Sequence, residues 1–132
     1  MTAAIDTNLI VRVLVQDDAV QAAASRRFIE SNTVRVLSTV MLETVWTLER
    51  SYGLERTAIV RSLSGFMGLP TVRVDEAASV SRALELYADG LDFADALHLC
   101  LAMDSDRFVT FDRALIRRAA RLRRSEPVVE LP

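Results

Sequence analysis

Short apolar runs alternate with longer stretches of helical periodicity along this chain, and that alternation is the strongest constraint on its fold. Ala3-Ala4-Ile5 reads as a brief strand ending at Asp6, after which Leu9, Ile10, Val13 and Leu14 recur at helical spacing. Residues 17–31 read as a second helix capped by Asp17 or Asp18, and Val34 to Leu37 as a second strand. Ser38 or Thr39 is positioned to cap a helix running to about Tyr52, and a further helix spans about 55–67 before Gly68 and Pro70. Thr71 to Val74 is a third strand, followed by a helix over 76–88 that stops at Gly90. Phe93 to Met103 reads as a helix, Phe108 to Phe111 as a strand, 113–123 as an arginine-rich helix, and Val128-Val129 as a last short strand. Strands that alternate with helices imply parallel pairing through right-handed crossovers, with helices on both faces of the sheet. The expectation is an α/β fold, and the 132 residues are enough for one cored domain but not two.

What the chain lacks narrows its chemistry. All sixteen basic residues are arginine, so a P-loop lysine, a Schiff-base lysine and a lysine-dependent receiver switch are excluded. One histidine, His98, and one cysteine, Cys100, exclude an all-Cys/His zinc site and an internal disulfide. Two residues apart on a helix, they face different ways and make a poor nucleophile–base pair; Cys100 reads as a small core hydrophobe. Neither G-x-S-x-G nor G-x-G-x-x-G occurs. No apolar run approaches the roughly 18 residues that span a bilayer, and Asp6 and Arg12 interrupt the apolar N-terminal stretch, so a soluble, cytoplasmic protein is expected. Carboxylates remain in quantity, ten Asp and eight Glu, and any chemistry falls to them.

Three aspartates share one syntax of strand, Asp, helix: Asp6 after AAI, Asp75 after TVRV, and Asp112 after FVTF. Each can be read as a helix N-cap. Each can also be a ligand-binding group, because strand C-termini of an open parallel sheet share the edge where ligands bind. Carboxylates ending adjacent strands lie about 5 Å apart, repel one another, and are reconciled by a hard divalent cation. The segment LDFADALHLCLA adds Asp92 at a helix start and Asp95 one turn on, on the same face. Asp92 reads first as a cap. Glu43 lies opposite the stripe of Met41, Val45, Leu48 and Tyr52, so periodicity assigns it to solvent or equally to a cleft.

Together, DTN at 6–8, Glu43 in the third helix, DFADALHL at 92–99 and TFD at 110–112 make the chain resemble the PIN-domain nucleases. Among them it resembles the VapC-type toxins of toxin–antitoxin pairs. The resemblance covers nearly the whole chain. It implies a single domain over 1–132 with a short parallel sheet of order 3-2-1-4-5, which sets Asp6 beside Asp112. Asp75 falls about two strand spacings from strand one, near 10 Å, as a cap without metal. By resemblance Asp6, Glu43, Asp95 and Asp112 are the catalytic quartet, with Asp6 and Asp95 as metal ligands. Asn8, Thr110 and Asp92 are supporting polar groups, with the specific roles of Asp92 and His98 open.

The same resemblance implies Mg²⁺ or Mn²⁺ chemistry, in which a bound water of lowered pKa attacks an RNA phosphodiester. It also implies a cognate antitoxin and a homodimer, with Val40, Met41, Val45 and Trp46 as either core or contact surface. Net charge −2 and pI 5.4 argue against a general nucleic-acid coat. Locally, however, Arg113, Arg117, Arg121 and Arg124 recur at helical spacing, and Arg113 beside Asp112 is the phosphate-contact candidate. The other arginines suit the C-terminal end of a helix dipole. Few aromatics are available for stacking, so RNA shape and backbone are the expected recognition elements. His98, one turn past Asp95, reads as a surface or packed residue, or as its hydrogen-bond partner. Two alternatives share this pattern: a PIN-like binding scaffold without turnover, and a nuclease that processes RNA or cuts DNA outside a toxin system.

Overall fold

The structure, a computed structural model, describes residues 2–122 and 127–132. The chain forms two compact units, Met1–Ala77 and Ala78–Pro132, each described in turn.

The first unit begins with β1 (Thr2–Ala4), α1 (Thr7–Val15), α2 (Ala19–Ser31) and β2 (Thr33–Val36). It continues with α3 (Ser38–Arg50), α4 (Arg56–Met67) and β3 (Val72–Val74). The three strands pair in parallel in the order β1-β2-β3, with Ala3 opposite Val34, and Val34 opposite Val72. The central strand carries Val34 and Val36, both fully buried, in the alternation expected of β-branched residues in a sheet. Around them Ile10, Met41, Leu48, Ile59 and Leu63 are also fully buried, one apolar stripe per helix. The Ile5 N–H donates to the Arg35 carbonyl at 3.1 Å, carrying β1 pairing to the residue before Asp6.

Of the two candidate caps of α2, Asp18 takes the role, accepting from the Gln21 N–H at 3.0 Å. Asp17 instead accepts from Arg12 and Tyr52. The cap expected at Ser38 or Thr39 is a correction: Leu37 holds the N-cap position of α3 with no side-chain bond, because Ser38 has already entered the helix. The helix ends at Arg50, and Gly53 turns the chain at φ +63°.

The second unit holds α5 (Ala77–Ala88), α6 (Phe93–Leu101), β4 (Arg107–Val109), α7 (Arg113–Ala120) and β5 (Val128–Glu130). Gly90, at φ +115°, separates α5 from α6. Across that turn Tyr87 and Phe93 pack edge to face, ring centres 5.8 Å apart. Leu84, Leu86, Leu97, Leu99 and Cys100 complete the core, so Cys100 is the buried hydrophobe its setting indicated. β4 and β5 pair in parallel, Phe108 opposite Val129, and the Thr110 N–H donates to the Glu130 carbonyl at 3.0 Å.

The α/β class with parallel strands is observed, while the strand order is realised differently. The order 3-2-1-4-5 appears as its two halves, a β1-β2-β3 sheet and a separate β4-β5 pair. β1 and β4 are three residues each, and each is already engaged by one neighbour over its full length. The end of the arginine-rich helix expected at 123, and Arg124 with it, lie outside the described residues.

Candidate nuclease site

In the first unit, β1 delivers Asp6 to the start of α1. Its backbone is extended, and its carboxylate Oδ1 accepts from the Asn8 N–H at 3.1 Å, an N-cap bond. That bond uses one oxygen and leaves the second open. The side chain of Asn8 makes no hydrogen bond among the described residues. Glu43, on α3, is exposed by residue area, and the solvent and cleft readings of its helix face were equal in sequence. It does not simply face water, however: the hydroxyl of buried Thr7, the residue after Asp6, donates to Glu43 Oε1. Thr7 therefore ties the α3 carboxylate to the first residue of α1. Sequence reasoning missed Thr7 because a threonine between Asp and Asn reads as helix filler. Its place at the centre of the DTN triplet was the available signal.

In the second unit, Asp95 lies in the first turn of α6 and is half-buried. Its carboxyl is pushed above the usual carboxylate range, first by burial and then by the negative charges of Asp92 and Asp112. His98 and Arg118 oppose the shift only at a distance, through charge. His98 is exposed and makes no hydrogen bond to Asp95 among the described residues. Asp92 holds the N-cap position of α6, yet its carboxylate makes no capping bond, which corrects the expectation that it caps. Asp112 does cap: Oδ1 accepts from the Leu115 N–H at 3.0 Å, leaving its other oxygen open. Thr110 supports it, its hydroxyl accepting from the Asp112 N–H at 3.0 Å.

Asp75 shows what this fold does with an acid it intends to neutralise. Arg35, its cross-strand neighbour's side chain, grips both oxygens in a fork at 2.6–3.1 Å and holds the carboxyl below its ordinary range. This corrects the N-cap expectation for Asp75. Glu76, at φ +54°, intervenes before α5, so the carboxylate turns to the adjacent strand instead. By contrast, none of Asp6, Glu43, Asp92, Asp95 and Asp112 forms an ion pair among the described residues.

Among the described residues no three His, Cys, Asp or Glu side chains form a ready-made metal cage. The donors that do exist are hard carboxylate oxygens without cations. They suit Mg²⁺, which takes one or two carboxylates and keeps most of its waters, rather than an ion needing a closed protein shell.

Arg113 is exposed at the first position of α7, beside a hollow of about 320 Å³ that it lines with Arg117 and Glu130. Of the few aromatics, Phe66, Tyr87 and Phe93 are buried, while Phe111 is 82% exposed, Trp46 56% and Phe28 39%. Of the four apolar residues on α3, Met41 and Val45 are core and Trp46 is surface.

No helix among the described residues is long and apolar enough to cross a membrane. No curated protein and no solved structure matches the chain. A family model does match, that of the PIN domain, over residues 3–122. That span runs from β1 through α7 and includes Asp6, Glu43, Asp95 and Asp112 in the chain order of the resemblance. A parallel α/β fold with carboxylates at strand ends agrees with that match, and the chain belongs to the PIN-domain family, whose fold is a nuclease fold.

Proposed function

We propose that the protein is a metal-dependent endoribonuclease and the toxin of a toxin–antitoxin pair, acting in the cytoplasm as a homodimer held in check by a cognate antitoxin. One contrast carries the reading. Asp75 has the same strand-end position as Asp6 and Asp112 and is neutralised by Arg35, whereas the acids matching the family's quartet form no ion pair among the described residues. Among them Asp95 is half-buried beside the negative charges of Asp92 and Asp112, which makes its ionised form costly, and a bound divalent cation would offset that cost.

In this reading Asp6 and Asp95 are the metal ligands. Asp112 and Glu43 complete the charge around the substrate, and Asp92 adds a further carboxylate with Asp95. Bound Mg²⁺ or Mn²⁺ would lower the pKa of a water and neutralise phosphate charge. Thr7 sets the direction of Glu43, Thr110 and the Asn8 backbone fix Asp112 and Asp6, and Arg113 holds a flanking phosphate.

The test is cleavage of structured RNAs by the purified chain with Mg²⁺ or Mn²⁺, against a chelator control and Asp6→Asn prepared in the same way. Metal-dependent cutting that Asp6→Asn reduces by at least 10²-fold is expected. Equal cutting in both preparations would refute the assignment.

A further inference from the structure

Beside Asp6, between α1 and α2, the first unit opens a pocket of about 580 Å³, a size that small-ligand sites commonly have. Asp6 and Asn8 stand at one part of its lining, with Arg12, Gln21, Ser25 and Phe28 along the rest. Nothing in the roles given above to Asp6 or Asn8 requires a pocket here.

Three features of the lining point to a ligand. The first is Ser25, which is 8% exposed and whose hydroxyl makes no hydrogen bond among the described residues. A buried hydroxyl without a partner is unfavourable in a closed core, and is satisfied if a ligand enters. The second is Gln21. Arg12 Nε lies 2.6 Å from Gln21 Oε1, and a guanidinium only donates, so the atom facing it must be the amide oxygen. The remaining amide group is therefore an NH₂, a donor. Arg12 is itself fixed by Asp17 and Tyr52, which holds that polarity in place. The third is Phe28, an aromatic ring left 39% exposed at the pocket.

A partly exposed ring, a fixed NH₂ donor and an unsatisfied hydroxyl are the parts of a nucleobase site: one face for stacking, one edge for hydrogen bonding. We infer that this pocket receives a base of the RNA strand, stacked on Phe28, and that Gln21 selects bases presenting an oxo group, uracil or guanine, over those presenting an amino group. The inference deepens the nuclease reading and rests on it for the position of the strand, since the pocket adjoins Asp6. A peptide chain would use the apolar lining, but it gives no reason for Gln21 to be locked as a donor.

Binding of single nucleotides tests this apart from catalysis. The chain is titrated with uridine and cytidine 5′-monophosphates, and with the guanosine and adenosine pair, following amide shifts by NMR. At least fivefold preference for the oxo-bearing member of each pair is expected. Gln21→Glu keeps the acceptor that Arg12 needs, so the fold is retained while the donor becomes an acceptor, and the preference should invert. Phe28→Leu preserves apolar volume without the ring and should weaken all four nucleotides about tenfold. Equal binding within each pair, or a Gln21→Glu preference identical to wild type, would overturn the inference and leave the pocket as a protein-docking groove. Selective binding by a chain that cuts no RNA supports the pocket and removes the nuclease reading. Cleavage by a chain without base selectivity does the reverse.

Discussion

Thr7 and Asp75 illustrate how far a residue's role departs from its sequence syntax. Asp75 shares its strand-end position with Asp6 and Asp112, and nothing local distinguishes the three. The difference comes from β2, whose Arg35 reaches Asp75 across the sheet. Such a partner is 40 residues away in sequence, so no local pattern could reveal it. Glu43 was undecidable for a related reason: periodicity reports which face of α3 is apolar, not what stands opposite the polar face. Thr7 stands there. A hydrogen bond to a charged group contributes more than a neutral one, so its loss should be measurable. Thr7→Val, nearly the same shape without the hydroxyl, is expected to lower RNA cleavage about tenfold and the melting temperature by only a few degrees. Thr7→Ser should restore most of that activity. Unaltered cleavage by Thr7→Val would show that Glu43 is not positioned through Thr7.

Element by element, the helices were more legible than the strands. Helical periodicity over two or more turns carries enough apolar positions to be read, and every helix expected from the pattern is present. Their ends follow capping chemistry where a carboxylate is available, as at Asp18 and Asp112. They depart from it where Leu37 holds the cap position of α3, or where Asp92 holds that of α6 without capping. Strands of three or four residues give little signal about whom they pair with, and so the order 3-2-1-4-5 came from resemblance and is realised as two sheets.

The two positive-φ glycines give the turns a testable hierarchy. A Cβ at either Gly53 or Gly90 would meet no atom within 4 Å, so substitution there costs backbone strain alone. Gly53, at φ +63°, lies in the left-handed helical region that other residues visit at modest cost. Gly90, at φ +115°, lies beyond it. Gly90→Ala is therefore expected to destabilise by about 2–3 kcal/mol and Gly53→Ala by about 1 kcal/mol in chemical denaturation. The reverse order would contradict the assignment of strain to the α5–α6 turn.

At the scale of the whole molecule, the PIN-domain match across residues 3–122 joins what the local patterns could only suggest separately. The candidate acids were legible as residue types at strand and helix ends. That they form no ion pair among the described residues was not legible, because it depends on where the arginines fall in space. Arg12, Arg35, Arg82 and Arg107 pair with Asp17, Asp75, Glu85 and Glu130, all outside the quartet. Trp46, exposed on α3, and the proposed antitoxin and homodimer contacts belong to this scale as well.

The decisive comparison sets Asp95→Asn against Asp75→Asn in one assay of Mg²⁺-dependent RNA cleavage, with circular dichroism confirming that both variants fold. If uncompensated carboxylates form the reaction centre, Asp95→Asn loses cleavage by at least 10²-fold, while Asp75→Asn cuts within about twofold of the native chain and is only slightly less stable, as expected for an exposed ion pair. Equal loss in both variants, or full activity in Asp95→Asn, would contradict the claim that the quartet acids, and not the arginine-paired Asp75, do the chemistry.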